Sequence, residues 1–255
     1  MNDLTWITGA SSGLGAALAR RMAQAGREVA ISARSGDKLA ALAGEAAGPG
    51  RLHPFPLDTQ NAEDAAAAVA RMEREVGQID QVVLNAGTHQ PVDPAHLRIA
   101  DFRRLVEVNL MGTVNCLAAV LPAMLARRGG RIAIVASVAG YRGLPSASAY
   151  GMTKAGLINM AEALRVELAP HGIVVQVVNP GFVRTPLTDR NEFPMPFLME
   201  PEDAAEAFFR GLQSDRFEIA FPRRFVLMMK LLRCLPAPLA FAVTRRAVPK
   251  KRGVP

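Results

Sequence analysis

Cysteine and histidine are scarce in this chain, and the few present are scattered. Cys116 and Cys234 lie far apart with no C-x-x-C between them, which excludes a disulfide framework and a zinc spacing. The four histidines (His53, His89, His96 and His171) form no H-E-x-x-H or comparable cluster. Each reads as a solvated or core side chain, and no metal is expected. The first residues lack a basic stretch followed by a cleavable apolar run, so an intracellular, cytoplasmic setting is expected. No proline- or glycine-rich linker and no internal repeat divides the sequence. A single domain is therefore expected over 1–255, with a core to about 220 and an extension over 221–255.

Acidic residues are missing from that extension. After Glu218 there are none, against nine basic residues: Arg223, Arg224, Lys230, Arg233, Arg245, Arg246, Lys250, Lys251 and Arg252. Of the formal net charge of +7, these nine leave −2 for the rest. The body is thus near neutral, which argues against nucleic-acid binding and directs attention to the C-terminus.

What is present is apolar and periodic. Half of the 255 residues are hydrophobic and 21% are charged, enough for a sizeable core. Short apolar runs predict strands at Leu4–Thr8, Glu28–Ala33, Leu52–Leu57, Gln81–Asn85, Arg131–Ala136, Val174–Val178 and Phe217–Phe221. Several are apolar on successive residues, as strands covered on both faces are. Helices are predicted between them at Leu14–Ala25, Asp37–Ala46, Ala62–Val76, Asp101–Ala126, Ala147–Leu168 and Glu202–Leu212. The alternation predicts an α/β fold, a doubly wound parallel sheet of about seven strands of the Rossmann type. Ligands of such sheets bind outside the carboxyl ends of the strands.

The first strand runs into Thr8-Gly9-Ala10-Ser11-Ser12-Gly13-Leu14-Gly15 and then a helix. Gly9 permits a tight turn, Gly13 close approach of backbone to a ligand, and Gly15 close packing of helix on strand. The helix start offers free N–H groups to a pyrophosphate. The second strand ends in Ala33-Arg34, with no acid until Asp37. An acid there holds a ribose 2′-hydroxyl, whereas an arginine suits a 2′-phosphate, so NADP(H) is favoured over NAD(H). Asp58 is open to two readings, contact with the adenine edge or an N-cap for the next helix.

Tyr150 and Lys154 lie four residues apart on a predicted helix and so share one face. Alone, such a pair is most often a surface accident. An ammonium beside a phenol favours the phenolate, so the expectation is a tyrosine of lowered pKa, tuned as a proton donor.

Taken together, the glycine pattern and the Tyr150–Lys154 pair resemble the short-chain dehydrogenase/reductase family. Further matches follow in that family's order: Asn85-Ala86-Gly87, Asn109, Ser137 thirteen residues before Tyr150, and Pro180-Gly181 with Val183 and Thr185. The resemblance spans about residues 4–220. It implies that Tyr150 is the general acid or base, that Lys154 tunes it and bonds the nicotinamide ribose, and that Ser137 polarises a carbonyl. It also implies that Asn109 holds a water joining Lys154 to solvent. The cofactor would lie along Gly9, Ser11, Ser12, Gly13, Leu14, Gly15, Arg34, Asp58, Asn85, Ala86, Gly87, Pro180, Gly181, Val183 and Thr185. A homodimer or tetramer through the Asp101–Ala126 and Tyr150 helices is implied as well.

The expected activity is hydride transfer between a nicotinamide and a small-molecule carbonyl or secondary alcohol. A non-catalytic dinucleotide-binding regulator on the same fold is the alternative. By the same resemblance Pro186–Met199 is a substrate lid, and its Leu187, Phe193, Met195, Phe197, Leu198 and Met199 suit an apolar substrate. Tyr141, Arg142 and Leu144 are further candidates to face substrate. Phe225–Leu235 has a helical pattern interrupted by Pro236 and Pro238. The charges and prolines argue against a membrane span. The segment stays open to two readings, peripheral contact of residues 223–252 with an anionic membrane and packing over the site or a subunit interface.

Overall fold

The computed structural model describes residues 4–186, 188 and 195–247. Seven strands form one sheet: β1 Leu4–Thr8, β2 Glu28–Ser32, β3 Arg51–Pro54, β4 Ile79–Leu84, β5 Gly130–Val135, β6 Ile173–Pro180 and β7 Glu218–Phe221. Their spatial order is β3-β2-β1-β4-β5-β6-β7, and every neighbouring pair is parallel. The chain winds outward from β1 to β3 and then returns to lay β4 against the other side of β1. Between β1 and β4, successive connections leave in opposite directions and open a crevice at the carboxyl ends.

Strand residues are apolar in succession because both faces are covered. In β1, Leu4 and Trp6 enter one core and Ile7 the other. In β5, Ile132 and Ile134 enter the first, Ala133 and Val135 the second. Helices α1 (Gly13–Gln24), α2 (Gly36–Gly44) and α7 (Pro201–Leu212) cover the face of Ile7. Helices α3 (Ala62–Glu75), α5 (Gly112–Arg127) and α6 (Ser148–Leu168) cover the face of Trp6. The buried Trp6 indole donates to Ser32 Oγ at 3.0 Å, so its one polar atom is satisfied inside the core.

Two expected elements differ from the structure. The third strand ends at Pro54 rather than Leu57, and the run Phe55-Pro56-Leu57 follows the β2 chain without extending the regular ladder. Only the alternate donors Phe55 and Leu57 reach the β2 chain, at the carbonyls of Ile31 and Ala33. The run expected as one helix over Asp101–Ala126 is three pieces: α4 (Ile99–Leu105), a π-helical stretch Val106–Met111 and α5. Ile99–Arg127 is long and apolar enough to cross a membrane by length and composition. It packs as a core helix does, burying Asn109, Cys116, Val120 and Met124 against the body.

The C-terminal extension holds α8 (Arg223–Cys234) and α9 (Ala237–Thr244). The inner side of α8, with Phe225, Val226 and Met229, joins the first core. Gln176, fully buried on β6, fixes the chain after α7. Its Nε2 hydrogens are shared by the carbonyls of Gly211, Ser214 and Arg216 at 3.3, 2.8 and 2.9 Å. Gln176→Leu should therefore release the Arg216 carbonyl, while Gly211 O keeps Ser214 and Ser214 O keeps Arg131 as donors, and lower the unfolding free energy by about 1–3 kcal/mol. Urea denaturation midpoints at neutral pH check this, and an unchanged midpoint would mean that water serves that carbonyl equally well.

Candidate active site

The carboxyl ends of β1, β4, β5 and β6 line a cleft of about 640 Å³. It takes in Gly9, Ser11, Ser12, Gly13, Leu14, Gly15, Arg34, Asp58, Asn85, Ala86, Gly87, Ser137, Tyr150, Lys154, Pro180, Gly181, Val183 and Thr185. The expected cofactor residues and three of the four expected catalytic ones thus share one surface. A cavity of equal volume at the opposite strand ends is lined by residues such as Thr5, Arg27, Asp80, Gln81 and Arg131. It has neither the glycine loop nor the tyrosine.

One set of bonds stitches the loops of the cleft together. Thr8 Oγ1 accepts from the N–H groups of Asn85 and Ala86 at 3.0 and 3.1 Å. Asn85 Nδ2 in turn donates to the carbonyls of Thr8 and Gly9 at 3.0 and 3.2 Å. This draws the glycine loop so near β4 that a Cβ on Gly9, which has a φ of +67°, would lie 2.7 Å from Ala86 Cα. A Cβ on Gly15 would meet Gly9 O at 2.5 Å. At the start of α1 neither a side-chain cap nor an acidic residue takes up the free N–H groups. An uncapped, dipole-positive helix end in a tight glycine cradle fits a pyrophosphate. Arg34 is exposed at the rim, and Lys38, which sequence reading passed over, stands on α2 in the same cleft. The signal was the i, i+4 spacing of two cations across the start of α2.

Around Tyr150 the structure corrects several expectations. Burial raises the phenol above its ordinary value, while its hydrogen bond with Ser137 pulls the other way. The Lys154 ammonium is pulled down to about 8 by burial. Its Nζ donates to Val135 O at 2.9 Å and lies 5.6 Å from the centroid of the Tyr150 ring. At Tyr150 desolvation outweighs the hydrogen bond, so the phenol is shifted upward where spacing alone led to the expectation of a lowered pKa. Ser137 is also the strand-end cap that its position suggests, accepting from Ala139 N at 3.1 Å.

Asn109 is fully buried in the π-helical stretch. Its Oδ1 accepts from Thr88 N at 2.7 Å, and its Nδ2 donates to Thr88 O and Thr153 Oγ1 at 3.0 and 3.1 Å. This side chain clamps the loop after β4 to α6. Asp58 is not the cap of α3. Asn61 is, accepting from Glu63 and Asp64, whereas Asp58 accepts from Gln60 at the cleft wall.

Tyr141 does not face a substrate. It is buried in the first core, and its hydroxyl donates to Glu218, which also accepts from Asn179 and Lys230. Leu144 packs on the same core, and Arg142 lies over the Phe241 ring at 5.9 Å. Of the expected lid, Leu187 and Phe193 lie outside the described residues. Met199 packs on the second core and Phe197 stands beside Phe225 at 6.1 Å. Sequence reading also missed His89, whose ring meets that of Tyr150 edge-on at 4.7 Å. Only its place four residues after Asn85 pointed there. Among the described residues no group of three or more His, Cys, Asp or Glu is placed to hold a metal.

A sequence model described as short chain dehydrogenase matches residues 4–193. An uncharacterized oxidoreductase of Myxococcus xanthus (strain DK1622) is 38% identical over 94% of this chain and 95% of its own length. A short-chain dehydrogenase from Sphingobium yanoikuyae, solved with NADPH, superposes with a TM-score of 0.80 at 26% identity, covering 99% of this chain and 98% of that one. A 3-oxoacyl-[acyl-carrier protein] reductase from Brucella melitensis, solved with NAD, gives 0.75 at 28% identity, covering 86% and 89%.

The buried amine has a measurable signature. Its pKa of about 8 in the fold lies below the 10.5 of a free lysine. The charge is therefore paid for in stability below about pH 8, and that penalty is relieved as pH rises from about 8 towards 10.5. Relative to Lys154→Met, the cofactor-free protein should gain up to about 3 kcal/mol across this window. Urea unfolding of both proteins at several pH values measures the difference, and parallel curves would count against a desolvated ammonium.

Proposed function

Because the chain belongs to the short-chain dehydrogenase/reductase family, we propose that it is an NADP(H)-dependent oxidoreductase acting on an apolar carbonyl or the matching secondary alcohol. The observation that carries this reading is a half-buried Tyr150 phenol, hydrogen-bonded with Ser137 and one helical turn from Lys154, in the cleft that holds the uncapped glycine loop. A non-catalytic binding protein has no need of that arrangement.

The cleft fits a nicotinamide dinucleotide, which when bound supplies hydride exchange. The N–H groups at the start of α1 and the loop from Gly9 to Gly15 would hold its pyrophosphate. Arg34, with Lys38 beside it, would meet a 2′-phosphate, and this pair of cations supports NADP(H). Val183 and Thr185 would bound the nicotinamide end.

The remaining chemistry belongs to the chain. Tyr150 carries its proton at neutral pH, as a phenol ordinarily does, and holds it ready for an oxygen gaining charge during reduction. Ser137 lies on the same wall and donates to that oxygen. Lys154, displaced from Val135 O by any stronger acceptor, brings positive charge towards the phenol and assists its ionisation after transfer. Thr88 and Thr153, clamped by Asn109, keep the loop after β4 and helix α6 in register.

Phe182 stacks on Phe225 at 5.4 Å, next to Gly181 in the cleft. These rings pack on the first core, and it is Leu14, Val108 and Val183 lining the cleft that support an apolar substituent on the carbonyl. Exposed apolar residues on the central helices, namely Met111, Val114, Met152 and Val166, support self-association through those helices.

Tyr150→Phe should lower kcat by about 10²–10⁴-fold while the fold persists. NADPH oxidation with a panel of ketones and aldehydes measures this, and unchanged turnover would exclude the tyrosine as proton donor. Arg34→Ala should raise KM for NADPH at least tenfold, an order-of-magnitude expectation for a lost charge-assisted bond, and leave that for NADH nearly unaltered. Equal losses with both cofactors would refute a 2′-phosphate contact.

A further inference from the structure

The extension is apolar on two opposite sides. On α8, Phe225, Val226 and Met229 are buried in the first core, while Leu227, Met228 and Leu231 point away from it at 61%, 46% and 61% exposure. On α9, Leu239, Phe241 and Val243 are 57%, 65% and 50% exposed around the buried Ala240. Six large apolar side chains thus stand in water within residues 227–243, where an ordinary surface helix carries polar groups.

The charge around them has one sign. Arg223, Arg224, Arg233, Arg245 and Arg246 are exposed, and no ion pair takes them up among the described residues. Lys230 alone is neutralised, by Glu218. No acid follows Glu218 in the sequence.

That pattern discriminates between occupants. A second copy docking the same face would be related by two-fold symmetry and would set these arginines against themselves, with no carboxylate to separate them. A surface rich in fixed negative charge, with hydrocarbon just beneath it, satisfies both features. Arginines reach the headgroups while leucine and phenylalanine side chains enter the acyl boundary. We propose that the outward face of α8 and α9 docks on the surface of an anionic lipid bilayer. The docking is peripheral and independent of the redox chemistry, so it stands or falls separately from the reading of the cleft.

The test is sedimentation of the full chain with vesicles of phosphatidylcholine alone or with added phosphatidylserine, at low and high salt. The wild-type chain should pellet with the serine-containing vesicles at low salt and be released at high salt. Each basic residue near such a surface is worth roughly fivefold in partitioning, so Arg223→Gln with Arg224→Gln should weaken binding roughly twentyfold. Leu227→Ser with Leu231→Ser should weaken it at least tenfold, an order-of-magnitude expectation for lost apolar insertion. Leu97→Ser with Ile99→Ser, equally exposed but on another surface, should leave it unchanged. Circular dichroism confirms that each variant is folded.

The proposal is overturned if the wild-type chain stays in the supernatant with every vesicle. Equal binding to both vesicle types at both salts overturns it too. So does a wild-type chain that ignores vesicles while Leu227→Ser with Leu231→Ser reduces its mass by light scattering, since the face then joins copies of the chain.

Discussion

A primary amine is buried at the carboxyl end of the sheet, and much of the local structure follows from keeping it there. Lys154 is only 4% exposed and has a single carbonyl, that of Val135, as its bonded partner. For the amine to reach that carbonyl, α6 must lie hard against the turn after β5. Gly140 allows this, since a Cβ there would sit 2.8 Å from the backbone of Lys154. Gly87 does the same on the other side, where a Cβ would stand 3.3 Å from Asn109 Oδ1 and 3.5 Å from Lys154 Nζ. A desolvated ammonium held by a neutral carbonyl readily exchanges that partner for a stronger acceptor.

The larger architecture brings the glycine loop and the Tyr150 end of the cleft together through the order of the strands. Thr8 and Asn85 are 77 residues apart in sequence but close the adjacent ends of β1 and β4. The glycine loop therefore faces the Asn85–Gly87 turn, and the proton-transfer residues arrive from β5 and α6 alongside. Neither end of the cleft is complete without the return of the chain to the middle of the sheet.

The fold was legible because its signals are local and repeated. Apolar runs of four to eight residues alternate with helical periods, and each expected strand falls within a few residues of an observed one. The site was legible where one residue type at one spacing implies one chemistry, as with Gly9, Gly13, Gly15, Tyr150 and Lys154. What escaped depended on long-range contacts. Tyr141 looked like a cleft residue until Glu218, 77 positions away, claimed its hydroxyl. For Asn109, the wide turn that holds it and the threonines it clamps left no mark in the periodicity. His89 was indistinguishable from three other scattered histidines. The expected tyrosine pKa had the wrong direction because spacing reports on a neighbouring charge and says nothing of burial.

The prolines of the third strand have one more consequence. β3 forms an outer edge of the sheet, and Phe55 and Leu57 turn their N–H groups inward to the β2 chain. The intervening positions, whose N–H groups would point outward, are Pro54 and Pro56. That margin of the sheet therefore offers few donors to an incoming strand, which makes it a poor template for edge-to-edge growth into fibrils. Replacing both prolines would expose a sticky backbone margin, so the pair guards colloidal behaviour on the edge strand that leads into Leu57 and Asp58 at the cleft.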